Sequence, residues 1–192
     1  AQSAASLYIM VDSIYIGHIK DIGAFAISGL AVTFPMMNLS VALGTLVGVG
    51  AMTMISVLLG QKDYDKARKV LNTTLSLNII VGAIFSIVSL LFLDPILTFF
   101  GASENTLPFA RDYMTIILIG NIITHLYFGL NGVLRASGHP KTAMGLTLFT
   151  VISNSVLDPL FIFVFDLGIK GAAIATVLCQ TLALCYSMRF LM

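Results

Sequence analysis

"VLDPLFIFVFDLGIKGAAIAT" spans Val156 to Thr176, and its reading decides the fold. Apolar runs flank a short polar break, "FDLGIKG" at 165–171, with a charge on each side of a glycine. That pattern marks a turn between two greasy helices. Within the first run stands Asp158, followed at once by Pro159, an ionisable group beside a helix breaker.

The rest of the chain repeats the pattern. Of 192 residues 58% are hydrophobic and 10% charged, whereas soluble domains carry about a quarter charged residues. So few charges cannot cover a water-facing surface. The apolar runs suit a bilayer core of roughly 30 Å, which takes about 20 helical residues. The fold class is therefore an all-α integral membrane protein. The net charge of +1 comes without a basic run, so no nucleic-acid partner is expected. Cys179 and Cys185 lie six apart in one apolar run and read as buried free thiols. The N-terminus lacks the basic region and cleavage site of a signal peptide. Both ends read as cut, and the chain is expected to be a segment of something longer.

Polar breaks at 17–23, 60–69, 93–112, 135–142 and 165–171 leave candidate helices at about 1–17, 24–60, 68–93, 113–135, 142–164 and 171–192. The second exceeds one straight crossing, and its Pro35 predicts a kink. Gly44 and Gly48 in it form a small-residue face for close packing. Lys62, Lys66, Arg68, Lys69, Arg135, Lys141 and Arg189 are seven of the ten basic residues, and they fall in alternate breaks or near the far end. Cytoplasmic loops are the ones enriched in Lys and Arg. Both ends are thus expected in the cytoplasm of a multi-pass cell-membrane protein.

Seven of the nine acids fall in loops or at helix ends, leaving Asp12 and Asp158. A carboxylate at mid-membrane costs about 2.5–3.5 kcal/mol on insertion scales, which makes it a functional candidate. At 1.5 Å per residue both lie roughly 8–12 Å below the outer ends of their helices. Thr176 is expected at a similar depth, Asn154 one turn deeper than Asp158 on the same face, and Tyr113 at the outer start of the fourth span. Two carboxylates, an amide, a phenol and a hydroxyl at comparable depth could hold a proton or a small hard cation. Asp12, Asp158 and Asn154 are the oxygen donors for Na⁺, and carbonyls freed by Pro159 would add to them. His125 reads as a packing histidine with a proton relay as the rival. Asn131 is open between packing and cavity lining, while Asn38, Asn72, Asn78 and Asn121 read as interhelical hydrogen-bond formers. No nucleotide-binding loop, metal cluster or hydrolase motif is visible, and no cofactor is expected beyond H⁺ or Na⁺.

Five blocks in order give the chain a specific resemblance: "VDSIYIGHIKDIGAFAISGLAVTFP", "GVGAMTMISVLLGQKDYDKARKV", "GVLRASGHPKTAM", "NSVLDPLFIF" and "LGIKGAAIATVLCQ". It resembles the N-terminal half of the multidrug and toxic compound extrusion (MATE) family. The resemblance implies six helices forming one lobe of a twelve-helix, two-lobe transporter, with the C-terminal lobe as a missing partner. It implies cation-coupled antiport of organic, often cationic, drugs by alternating access. It also places Asp12, Asp158, Asn154, Tyr113 and Thr176 at the family's ion-coupling positions and Asn131 at a cavity-lining one. Two rivals remain: a flippase for lipid-linked precursors, which calls for a more basic cavity, and an intramembrane aspartyl protease built on the two aspartates. The contexts "MVDS" and "VLDP" lack the Gly-x-Gly-Asp element of such proteases.

Overall fold

The computed structural model describes Met10, residues 13–19 and residues 23–191. The described chain is helical: α1 (Gly23–Gly60), α2 (Tyr64–Leu91), α3 (Leu93–Phe99), α4 (Leu107–Ile119), α5 (Asn121–Ala136), α6 (Pro140–Pro159) and α7 (Ile169–Leu191). Residues 13–17 are also helical, but most of the first candidate span, Asp12 included, lies outside the described residues.

Packing inverts the soluble rule. On α1 most buried positions are small, among them Gly29, Thr33, Ser40, Gly44, Gly48 and Ala51. Many large ones, among them Leu39, Leu46, Val49, Met54 and Val57, are exposed. Lipid tails are as apolar as leucine, so helices associate through small residues that let backbones approach. A Cβ added to Gly48 would lie 3.2 Å from the Cα of Gly129 on α5. Here α1 and α5 touch backbone to backbone. α1 also packs on α2 and α4, and α7 packs on α4, α5 and α6.

α1, α2, the α6 segment extended to Val164, and α7 are each long and apolar enough to cross a membrane. The helix of α1 runs through Pro35 without interruption. The fourth candidate span is not the single helix expected over 113–135. It starts earlier, at Leu107, and breaks at Gly120 into α4 and α5, bent by 56°. The cause is local: a Cβ on Gly120 would sit 2.5 Å from a methyl of Val177 on α7. A glycine there admits α7, and the chain turns around it. The break at 93–112 is not all loop either, since α3 lies within it and is tied to α4 by a forked ion pair from Arg111 to Asp94.

The helix ends follow from capping. Asp63 Oδ1 accepts the amide of Lys66 at 3.2 Å and opens α2. The same Lys66 pairs with Asp63 through its ammonium, and that hydrogen bond holds the Asp63 carboxyl below its ordinary value. Gly138, at φ +82°, follows α5 in the left-handed conformation that closes a helix. Charges gather at the two ends of the bundle. Lys66, Arg68 and Lys69 lie in the first two turns of α2, with Arg135 and Arg189 in the last turns of α5 and α7. Asp94, Arg111, Asp112 and Lys170 lie at the opposite end, where Lys170 meets Asp112 at 3.3 Å. Cys179 is buried as expected, but Cys185 is exposed, because the six-residue spacing turns it off the packed face of α7.

Candidate functional site

α6 and α7 build the site between them. Pro159 has no N–H, so the α-helical ladder ends on it, and Leu160–Val164 continue as a wider π-helix. The amide of Phe165 reaches back to the Leu160 carbonyl at 3.0 Å. Gly171 lets α7 lean against this segment: a Cβ there would lie 2.7 Å from the carbonyl carbon and oxygen of Phe161. The widened turn and the glycine together bring Thr176 of α7 alongside the last α-helical turn of α6.

Asp158 sits on that turn, fully buried. Asn154, one turn earlier and equally buried, donates from Nδ2 to Asp158 Oδ1 at 2.9 Å and to Thr176 Oγ1 at 3.2 Å. Three of the five expected residues thus form one hydrogen-bonded group inside the bundle. With Nδ2 so engaged, Asn154 Oδ1 has no hydrogen-bond partner among the described residues. This buried acceptor beside a carboxylate is what a small cation or a proton donor requires. Tyr113, also buried, shares a core cluster with Ile162, Ala172 and Ala173, the neighbours of Asp158 and Thr176 along the chain. Asp12 falls outside the described residues. Among the described residues Asp158 is the only buried acid.

Asn131 lies elsewhere. On α5 it donates to the Ala143 carbonyl at 3.0 Å and accepts from Arg135 at 2.7 Å. It also borders a cleft of about 110 Å³ shared with Gly48, Met52 and Phe128. That is smaller than the roughly 300–1,000 Å³ of drug-sized sites. One buried polar group escaped the reading of the sequence as a group. Ser40 hydrogen-bonds to both Asn121 and His125 at the junction of α1, α2 and α5. Asn121 and His125 are one turn apart on α5, but Ser40 is far from both along the chain, and only the small residues Gly44 and Gly82 hint that a ring is packed there.

A multi-pass helical membrane lobe with a carboxylate–amide–hydroxyl group buried between two helices is the class of protein so defined. The MatE family model matches residues 1–160, and the chain belongs to that family of transporters. It is 36% identical over 177 residues to the multidrug export protein MepA of Staphylococcus aureus, covering 92% of this chain and 39% of that protein. MepA of Staphylococcus haemolyticus is 33% identical over the same length. The chain thus spans about two fifths of the relatives it matches. Among solved structures, an inward-facing multidrug resistance MATE transporter matches with a TM-score of 0.92 at 28% identity, over 97% of this chain and 42% of that one. An outward-facing one matches with a TM-score of 0.89, over 99% and 42%.

Proposed function

We propose that this chain is the ion-coupling lobe of an exporter of organic, often cationic, drugs, acting as an antiporter with H⁺ or Na⁺. The observation that carries the reading is the buried group Asn154–Asp158–Thr176. A carboxylate in a low-dielectric bundle gains from taking up a positive ion. Asp158 would bind the ion with Asp12 as second carboxylate, Asn154 Oδ1 as neutral donor, and Thr176 and Tyr113 as hydrogen-bonding neighbours. Uptake would redirect the Asn154 amide and so change how α6 and α7 fit together. Coupling requires the ion to bind two states of the protein differently.

The relatives support this reading. MepA is a multidrug export protein, and the lobe matches inward- and outward-facing transporters almost equally well. A lobe of constant shape in both states favours alternation by movement against a second lobe, with a drug passage between them to which Asn131 would contribute. Seven of the ten basic residues gather at one end of the bundle, which would place that end, and both chain ends, in the cytoplasm. A flippase path would call for Lys or Arg along the spans. Among the described spans those residues keep to the first or last two turns of their helices.

The test uses the full-length protein in a drug-resistance assay. Asp158→Asn and Asp12→Asn should each abolish resistance with membrane expression intact. Undiminished resistance in both variants would refute the assignment.

A further inference from the structure

A second buried polar group, apart from the acidic one, lies where α1, α2 and α5 meet. Asn121, the first residue of α5, donates from Nδ2 to the Gly82 carbonyl of α2 at 3.3 Å. That bond fixes the amide with Oδ1 toward α1, where the Ser40 hydroxyl donates to it. Ser40 has one proton and it is engaged. Its 3.1 Å contact with His125 Nε2 is therefore one in which the ring donates. Nε2 carries the hydrogen, and Nδ1 is left as a bare acceptor.

The ring is fully buried and wedged between two glycines. A Cβ on Gly44 of α1 would lie 3.5 Å from Nδ1, and one on Gly82 of α2 would lie 3.4 Å from Cγ. Nδ1 has no hydrogen-bond partner among the described residues, nor has Asn78 Oδ1, one turn from Gly82 on the same face of α2. Asn78 meets α5 at Gly129, one turn beyond His125. Two orphaned acceptors thus share one junction.

Among the described residues of α1, α2 and α5, no counter-charge lies beside the ring. α1 contains no ionisable side chain. On α2 the ionisable residues are Tyr64, Asp65, Lys66, Arg68 and Lys69, about 20 Å or more along the helix from Gly82 at 1.5 Å per residue. On α5 itself Tyr127 turns to Thr150 of α6 at 3.3 Å, and Arg135 turns to Asn131.

We propose that His125 is a second proton-binding site of the lobe, a latch that holds α1 against α5 while neutral and takes up a proton at Nδ1 when the junction opens. A proton on Nδ1 of the closed junction would be an unpaired buried cation, which is strongly disfavoured. Once water reaches Nδ1 and Asn78 Oδ1, the ring titrates as an ordinary histidine near 6.5. The closed form binds no proton and the open form binds one. Closure is therefore fully stable above that pH and weakens as pH falls below it. This linkage stands whether or not Asp158 couples to an ion.

The experiment compares the full-length protein with its His125→Gln variant, whose amide can still donate to Ser40 but cannot be protonated. Thermal unfolding is followed from pH 7.5 to 5.5, and effects of the carboxylates are common to both proteins. The wild type should lose stability relative to the variant about tenfold in folded-to-unfolded ratio for each pH unit below about 6.5. Parallel pH profiles would overturn the proposal. Nitrogen-15 NMR of histidine-labelled wild type provides a test free of that variant. The exposed His18 and His139 are assigned by substitution to glutamine, and the His125 signal as the one lost in His125→Asn. At pH 7.5 it should be neutral and protonated on Nε2. A cationic ring, or a hydrogen on Nδ1, would contradict the latch.

Discussion

Asn154 reaches Asp158 across one helical turn at 2.9 Å, and the same Nδ2 reaches Thr176 on the next helix at 3.2 Å. One amide therefore reports the state of the carboxylate to α7. Asn154→Ala removes both bonds. The Nδ2 bond favours the ionised carboxylate, and its loss costs about 1–3 kcal/mol, so affinity for H⁺ should rise roughly 5- to 150-fold, whereas Na⁺, which also loses the Oδ1 donor, should bind more weakly. Thr176→Val removes one interhelical bond, which in membranes averages about 0.6 kcal/mol, roughly threefold. The ion concentration giving half-maximal drug transport by the full-length protein measures both.

Gly171 is a packing requirement of the site. Its α-hydrogen faces the Phe161 carbonyl where a Cβ would lie 2.7 Å from backbone atoms. Gly171→Ala forces the π segment away and should cost about 1–3 kcal/mol, as overpacking does. Gly145→Ala, at a glycine with open space around it, should leave the thermal unfolding midpoint nearly unchanged. Equal midpoints for the two variants would show that α7 does not bear on Phe161.

The break at Gly120 makes a paired prediction. Gly120→Ala brings a methyl against Val177 and should destabilise the fold. Val177→Ala in the same chain should recover most of the loss, with a coupling of about 0.5–3 kcal/mol in a double-mutant cycle of unfolding free energies. Additive effects would mean that Val177 does not set the bend.

Asp63 is held below its ordinary carboxyl value by Lys66. A lowered folded value stabilises above the unfolded one, and the contribution disappears as pH falls through the lowered value. Asp63→Ala should lower the unfolding midpoint at neutral pH and lose that difference in acid. Asp63→Asn retains a capping oxygen and should fall between the two.

Much of the architecture was legible because membrane helices announce themselves by length and apolarity. Asp158 and Asn154 stood out because a four-residue spacing puts both on one face of a helix, and Thr176 because hairpin depth follows from rise per residue. What stayed hidden was the effect of small residues on path. Gly120 reads as one more glycine in an apolar run until Val177 is seen against it. The π turn after Pro159 depends on Gly171 of another helix. Asn121 and His125 share a face of α5, but their common partner Ser40 stands 81 and 85 residues away, and no local pattern joins it to them.

Asp158 as the point of ion uptake is the claim on which the functional account turns. Its most direct measurement is drug transport by the full-length protein in proteoliposomes, driven by an imposed H⁺ or Na⁺ gradient. The wild type should respond to one of the two gradients. Asp158→Asn should respond to neither while still binding drug. A gradient response unchanged in Asp158→Asn would contradict the account.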